Sequence, residues 1–240
     1  MFMTIVPDST KLAYHIDKAK DFLNFELFDK TYNVDTSTSG FLDLYNKENI
    51  YGVYPDWEKN DDLYLESNGY QTAAVEHLNE IYTILNNLIN IKEYSFVDVG
   101  SGKGKVLINN IINNYLYKNN IGVEIDKNLH NIALKNFESI SSKFKISNIY
   151  LYNEDILNYT CLNEPSIYFF FNPFSFSIYK RFLIKNKQTF KQNKTIIVQL
   201  YPFYPTIKEN TDFIEFPIEE NMGFFNKIYN EKYYLIYSSN

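Results

Sequence analysis

Hydrophobic residues recur at helical spacing from Thr72 to Ile91, where Val75, Leu78, Ile81, Tyr82, Leu85, Leu88 and Ile89 form one stripe. Beyond it the chain alternates short apolar runs with amphipathic stretches. The runs Tyr94 to Val99, Ile121 to Ile125, Ile149 to Tyr152, Ile167 to Phe171 and Thr195 to Tyr201 predict strands, and the stretches 103–118, 127–145 and 176–190 predict helices. Apolar strands alternating with helices imply a mostly parallel sheet covered on both faces. Two later runs, Phe213 to Ile218 and Lys232 to Tyr237, are joined only by a loop around Asn221 to Asn230 and predict an antiparallel hairpin at the sheet edge. Upstream, Lys11 to Lys30 carries an imperfect helical stripe, and Tyr32 to Asn68 holds turn-formers such as Asp35-Thr36-Ser37-Thr38-Ser39-Gly40 and Tyr54-Pro55-Asp56. The expected architecture is α/β: a doubly wound, mostly parallel sheet of about seven strands with an antiparallel C-terminal hairpin over residues 70–240. A helical and irregular cap or lid over residues 1–69 precedes it.

Composition narrows the function classes. With 240 residues, 45% hydrophobic and 22% charged, the chain has the balance of a folded globular protein rather than a disordered or fibrous one. A formal net charge of −6 and a single arginine, Arg181, give no strong nucleic-acid signal, since phosphate binding needs clustered cations. One cysteine, Cys161, permits neither an internal disulfide nor a Cys-cluster zinc site and suits a reducing compartment. Met1 to Asp8 has no basic segment followed by an apolar run, and the longest uncharged stretch, Pro165 to Tyr179, falls short of the roughly 20 apolar residues of a membrane span. A cytoplasmic location is the expectation. The richness in Tyr and Phe accompanies heavy use of Asn, Ile and Lys, so codon bias explains it as well as binding does. The Asn pairs at 86–87, 109–110, 113–114 and 119–120 are expected on helix faces and ends.

The chemistry concentrates in Phe96-Val97-Asp98-Val99-Gly100-Ser101-Gly102-Lys103-Gly104-Lys105, a buried strand running into a glycine turn that opens a helix. Glycines let the backbone adopt conformations that side chains forbid and let a ligand lie against the turn. Twenty residues past Gly104, Glu124 ends the next strand, where a carboxylate can accept both hydroxyl protons of a ribose. A dinucleotide turn requires G-x-G-x-x-G, but the spacing here is G-x-G-x-G with Lys105 in the place of the third glycine. A P-loop is absent as well. The pattern favours an adenosine cofactor without phosphate, or else an ordinary tight turn followed by a surface Glu.

These residues resemble the first two motifs of the class I, Rossmann-like S-adenosylmethionine-dependent methyltransferases: an acid followed by G-x-G-x-G, and an acid closing the second strand. The resemblance implies S-adenosyl-L-methionine as cofactor, held by Asp98, Gly100, Ser101, Gly102, Gly104 and Glu124. It implies that Asp155, in Tyr152-Asn153-Glu154-Asp155-Ile156-Leu157, receives the adenine amino group, with Ile125 or Ile156 against the ring; the adjacent Glu154 is the alternative acid, and a plain acidic surface turn is the other reading. At the end of the fourth strand, Asn172-Pro173-Phe174 is similar to an Asn-Pro-Phe turn in a bacterial methyltransferase group associated with glycan biosynthesis. It is more distantly similar to the Asn-Asn-Phe turn of the non-SET histone lysine methyltransferases. That placement implies that Asn172 contacts cofactor and acceptor; alternatively, it caps the following helix. Gly69-Tyr70-Gln71-Thr72-Ala73 resembles the segment that closes over the methionine end in both groups, giving Tyr70 and Thr72 a cofactor role, while Thr72 with Glu76 reads equally well as a helix cap. Asp35 to Gly40 resembles an Asp-Thr-Ser-Gly turn of the bacterial group. The resemblance covers Tyr70 to Tyr201 well and the first 69 residues loosely.

Rival chemistries find little support. His15, His77 and His130 lack metal-ligand spacing, Ser101 is out of frame for a nucleophile elbow, and Cys161 has no histidine nearby. The expected function is therefore methyl transfer to a hydroxyl or amine of a sugar, glycan or other small acceptor. A protein lysine is the nearest alternative acceptor, and a non-catalytic adenosine-cofactor-binding module is the alternative class. A general base is not identified by the sequence; Asp98, Asp35 and His15 are the candidates.

Overall fold

The computed structural model describes residues 26–37, 70–200, 204–205, 213–214, 218, 222–230 and 234–239. After a helical segment over residues 26–32 (α1) come helix α2 (Val75–Leu88), a short 3-10 turn (Ile91–Glu93), β1 (Ser95–Val99), α3 (Lys105–Ile112), β2 (Asn119–Glu124) and α4 (Lys127–Ser141). They are followed by β3 (Ile149–Asn153), β4 (Ser166–Phe170), α5 (Phe176–Gln192), β5 (Thr195–Leu200), the two-residue strands β6 (Tyr204–Pro205) and β7 (Phe213–Ile214), and then β8 (Phe225–Asn230) and β9 (Tyr234–Ser239).

Seven strands form one sheet in the order β3-β2-β1-β4-β5-β9-β8. β3 through β5 run parallel, and β9 and β8 complete the sheet antiparallel. This is the doubly wound α/β architecture that the alternating pattern predicts. Every residue of β1, β4 and β5 is buried because helices lie on both faces. On one face Val97, Val99, Tyr168, Phe170 and Ile197 pack with Ile178, Tyr179, Phe182 and Phe190 of α5. On the other, Phe96, Ile167, Phe169 and Ile196 meet Leu78, Ile81 and Leu85 of α2 and Leu107 and Ile108 of α3. Each fully buried side chain of this kind contributes about 1.5–3 kcal/mol. Strand order reverses between β1 and β4, whose ends lie side by side with Val99 opposite Phe170. In open α/β sheets that reversal opens a crevice beyond the carboxyl ends of the strands.

The hairpin forms with a different first strand. Phe213–Ile214 pairs with Tyr204–Pro205, and the partner of β9 is Phe225–Asn230, inside the stretch expected to be loop. The α3 helix stops at Ile112 rather than 118, Asn114 behind it taking a positive φ of 54°. The pair Asn119–Asn120 opens a strand instead of ending a helix. Of residues 1–69 only 26–37 are described, so most of the expected cap, His15 included, lies outside the described residues. Among the described residues no helix is long and apolar enough to cross a membrane.

Candidate functional site

The glycine turn is built on β2. The backbone N–H groups of Gly100 and Ser101 both donate to the Val123 carbonyl, at 2.9 and 3.1 Å, which holds the turn at the carboxyl ends of β1 and β2 before α3 begins. Two glycines are dictated by close approach as well as by positive φ. A Cβ on Gly100 (φ 73°) would lie 2.3 Å from Pro173 Cβ, and one on Gly102 (φ 52°) would lie 2.3 Å from the Tyr70 ring. These separations are far inside van der Waals contact. The Asn-Pro-Phe turn and the Tyr70 segment therefore both rest on bare backbone of the glycine turn.

Glu124 locks the turn from the second strand. Its Oε2 accepts the Gly102 N–H at 2.7 Å and its Oε1 accepts the Asp126 N–H at 2.8 Å. Burial pushes the Glu124 carboxyl up to about 7, against the lowering effect of these backbone donors. Each oxygen keeps a lone pair for a further donor. Asp98 is buried beside it, and Asp98 Oδ2 has no hydrogen-bond partner among the described residues. Burial first, and the Glu124 charge second, hold the Asp98 carboxyl well above the usual carboxylate range. An orphaned buried carboxylate oxygen is costly unless a ligand donor completes it. Asp98, Gly100 and Ser101 line a small cleft together with Tyr70, Thr72 and Lys105.

The Tyr70 hydroxyl donates to the Thr36 carbonyl at 2.6 Å, and burial raises its phenol well above the ordinary value, the Thr72 side chain opposing. Thr72 is buried in the cleft wall and does not cap α2: the residue before the helix is Ala74, and no side chain caps it. Nor does Asn172 cap α5. Ser175 does, accepting the Ile178 N–H, while Asn172 is half-buried with a left-handed φ of 45°. Phe174 is buried in the α5-side core beside Phe170.

The acidic pair after β3 splits in role. Asp155 Oδ1 accepts the Leu157 N–H at 2.8 Å and shapes the turn over 156–158, whereas the Glu154 N–H donates to the Glu124 carbonyl at 3.0 Å. Ile156 is part of the core and Ile125 is half-buried at the rim, held by Asn153, whose Nδ2 donates to the Ile125 carbonyl at 3.0 Å. The strands thus bring Tyr70, Thr72, Asp98, the glycine turn, Glu124 and Asn172-Pro173-Phe174 to one end of the sheet.

Several contributors escape sequence reasoning. Lys103 Nζ is held by Asp35 Oδ1 at 2.6 Å and the Ser37 carbonyl at 2.9 Å. Asn136 of α4 donates to both the Asp35 and Lys103 carbonyls, at 2.7 and 3.0 Å. Asp35, a candidate base, is thus engaged by a lysine, and no local pattern marks Asn136. Thr36, one of the turn-formers of the N-terminal segment, is fully buried, and its N–H and hydroxyl both donate to Asp29. Lys105 enters the sequence argument only as the residue that replaces a glycine, although its place on the first turn of α3 commits it to the cleft. Cys161 is buried, and burial pushes its thiol up to about 12, as for an inert core residue. No group of metal-ligating side chains occurs among the described residues.

No protein-family model matches the chain, and no curated protein matches it. Solved structures similar to it include the pyocyanin biosynthetic protein PhzM, at TM-score 0.49 and 13% identity over 70% of this chain and 56% of that one. A proposed methylase of Haemophilus influenzae aligns at TM-score 0.45 and 16% identity, covering 66% of this chain and 88% of that one. The TrmK protein of M. capricolum, solved in complex with S-adenosyl-homocysteine, aligns at TM-score 0.38 and 18% identity, covering 68% and 66%.

Proposed function

We propose that the chain is an S-adenosylmethionine-dependent methyltransferase of the cytoplasm, acting on a hydroxyl or amine of a sugar, glycan or other small acceptor. The observation that carries this reading is the pair of buried carboxylates, Asp98 with an oxygen unpartnered among the described residues and Glu124 seated on the Gly102 N–H, at the crevice where the sheet order reverses. Residues 70–240 form the catalytic domain and residues 1–69 its lid.

When bound, the cofactor supplies an electrophilic methyl group on a sulfonium sulfur. Glu124 accepts the ribose hydroxyls with the lone pairs its backbone donors leave free, and Asp98 receives the ammonium group. Asp155 takes the adenine amino group on the carboxylate oxygen not used by Leu157, and Ile125 covers the ring at the rim. The Asn172 amide oxygen orients the acceptor's O–H or N–H for in-line attack; an amide cannot take up the proton, so an amine must arrive neutral. Holding donor and acceptor in a near-attack geometry and excluding water supplies most of the rate enhancement. The acidic chain, with no basic tail to meet nucleic acid, weighs against a chromatin-like substrate.

Titration calorimetry with S-adenosylmethionine, S-adenosylhomocysteine and NAD tests the cofactor. Heat with both sulfur compounds and none with NAD is expected; the reverse refutes the assignment. Methyl transfer is then assayed over panels of sugars, small amines and lysine peptides. Tight binding with no turnover on any panel would leave an adenosine-binding module.

A further inference from the structure

We propose that Asn136 is a positioning residue that couples the seating of residues 33–37 to ligand binding at the glycine turn, so that the cofactor is held tightly only while that segment is docked. The inference rests on the cofactor reading above and adds to it a residue that touches no ligand.

The buried face of α4 is Ala133, Asn136, Phe137 and Ile140, so Asn136 interrupts an otherwise apolar stripe. It is 4% exposed, and asparagine is a poor helix former; an apolar residue would serve both helix and core better. Its place is explained by what its amide meets. Oδ1 accepts the Asp35 N–H at 2.8 Å, and Nδ2 donates to the Asp35 carbonyl at 2.7 Å and to the Lys103 carbonyl at 3.0 Å. One side chain thus pairs with the backbone of the N-terminal segment as a neighbouring strand would, and holds the glycine turn at the same time.

On the turn side, α4 packs directly against the backbone. A Cβ on Gly104 would lie 2.9 Å from the Phe137 ring and 3.4 Å from Ala133 Cβ. Lys103 lies between that glycine and Gly102, whose N–H is taken by Glu124. The turn is therefore fixed at adjacent residues, by Glu124 on the Gly102 N–H and by Asn136 on the Lys103 carbonyl. On the segment side, Lys103 Nζ returns to Asp35 Oδ1 and the Ser37 carbonyl, and the Ser139 hydroxyl of α4 donates to the Asn33 carbonyl at 2.6 Å. If the segment leaves, Asn136 loses its two bonds to Asp35 and Lys103 loses both of these acceptors. A buried polar network satisfied only in part is costly, so the turn loosens as the segment does.

Titration calorimetry with S-adenosylhomocysteine on the full chain tests the coupling, with thermal unfolding read alongside. Asn136→Ser should weaken binding at least about fivefold, the lower end of what a lost buried hydrogen bond costs. Asn110→Ser breaks the buried Asn110–Asn120 pair at the opposite end of β2; it should lower Tm and leave Kd within about twofold. Lys103→Met frees the segment from the other side and should weaken binding at least about threefold. Because both variants act by unseating one segment, the double variant should bind within about twofold of the weaker single one. Wild-type affinity in either single variant, independent addition of the two effects in the double variant, or an equal loss in Asn110→Ser overturns the proposal while the cofactor reading stands. If Asn136→Ser does not fold, Lys103→Met alone decides in the same way. Failure of wild type to bind S-adenosylhomocysteine overturns the cofactor reading, and the coupling with it.

Discussion

Replacing Glu124 by Gln separates its structural role from its ligand role. In the folded chain its two oxygens accept the Gly102 and Asp126 N–H groups at 2.7 and 2.8 Å. The Gln amide preserves one acceptor and turns its NH2 toward the other donor, stranding one buried N–H at a cost of about 1–3 kcal/mol. Glu124→Ala would strand both, a large part of a typical total stability of about 5–15 kcal/mol, so the amide is the better probe. On the proposed cofactor reading Gln would lose at least one charge-assisted hydrogen bond to the ribose, about 1.5–3 kcal/mol, or roughly a 10- to 150-fold rise in Kd. Calorimetry with S-adenosylhomocysteine reads the second quantity and thermal unfolding the first. A folded Glu124→Gln protein with a lowered Tm but a Kd within twofold of wild type would show that Glu124 only braces the turn. The same residue sets a pH dependence. Its folded-state carboxyl is raised from 4.5 to about 7, so between those values the folded chain holds a proton that the unfolded chain has released. Stability from this group is thus present below about pH 4.5 and lost as pH rises through about 7. The Tm advantage of wild type over Glu124→Gln should shrink from pH 5 to pH 8, while S-adenosylhomocysteine affinity, which needs the ionised carboxylate, should tighten over the same range. Affinity that is flat or falling with pH would refute the reasoning.

Asp155→Asn keeps an oxygen for the Leu157 N–H and should weaken cofactor binding more than it slows turnover; a larger effect of Glu154→Gln would assign the adenine contact to the other acid. Asn172→Ala should leave S-adenosylmethionine affinity within a few-fold and lower turnover about 10²-fold, and an Asn172→Asp variant rescued only at high pH would indicate an amine acceptor. Wild-type turnover in both variants would reduce Asn172 to a turn former. Lys103→Met should release the segment around Asp35 and Ser37 and speed proteolysis beyond Ser37, because Thr36 itself is buried against Asp29; identical cleavage would mean that the ion pair does not hold the segment.

The central strands were legible because burial on both faces writes them as continuous apolar runs, as in Ile167 to Phe171. The glycine turn and Glu124 were legible because backbone conformation and close approach leave few residue choices at those positions. The hairpin was misread for the same reason. Phe213 to Ile218 is nearly all apolar, whereas β8, at the sheet edge, alternates buried Phe225 with exposed Asn226 and Ile228 and so resembles a polar loop. Thr72 carries a helix-start signature, yet its burial in the cleft wall overrides the local preference. The Lys103–Asp35 pair joins residues 68 apart, and nothing local announces such a partner.

The contact between Gly100 and Pro173 has a thermodynamic consequence. With no room for even a methyl group between them, a shift of the glycine turn displaces the Asn172-Pro173-Phe174 turn, and the two cannot be tuned independently. On the proposed function this would make methyl donor and acceptor heterotropic ligands of one another. Linkage then requires that the factor by which S-adenosylhomocysteine changes acceptor affinity equal the factor by which acceptor changes S-adenosylhomocysteine affinity. Such a coupling would pass through a proline ring and a bare α-carbon rather than a rotatable side chain, and so would be carried as rigid-body displacement of two loops.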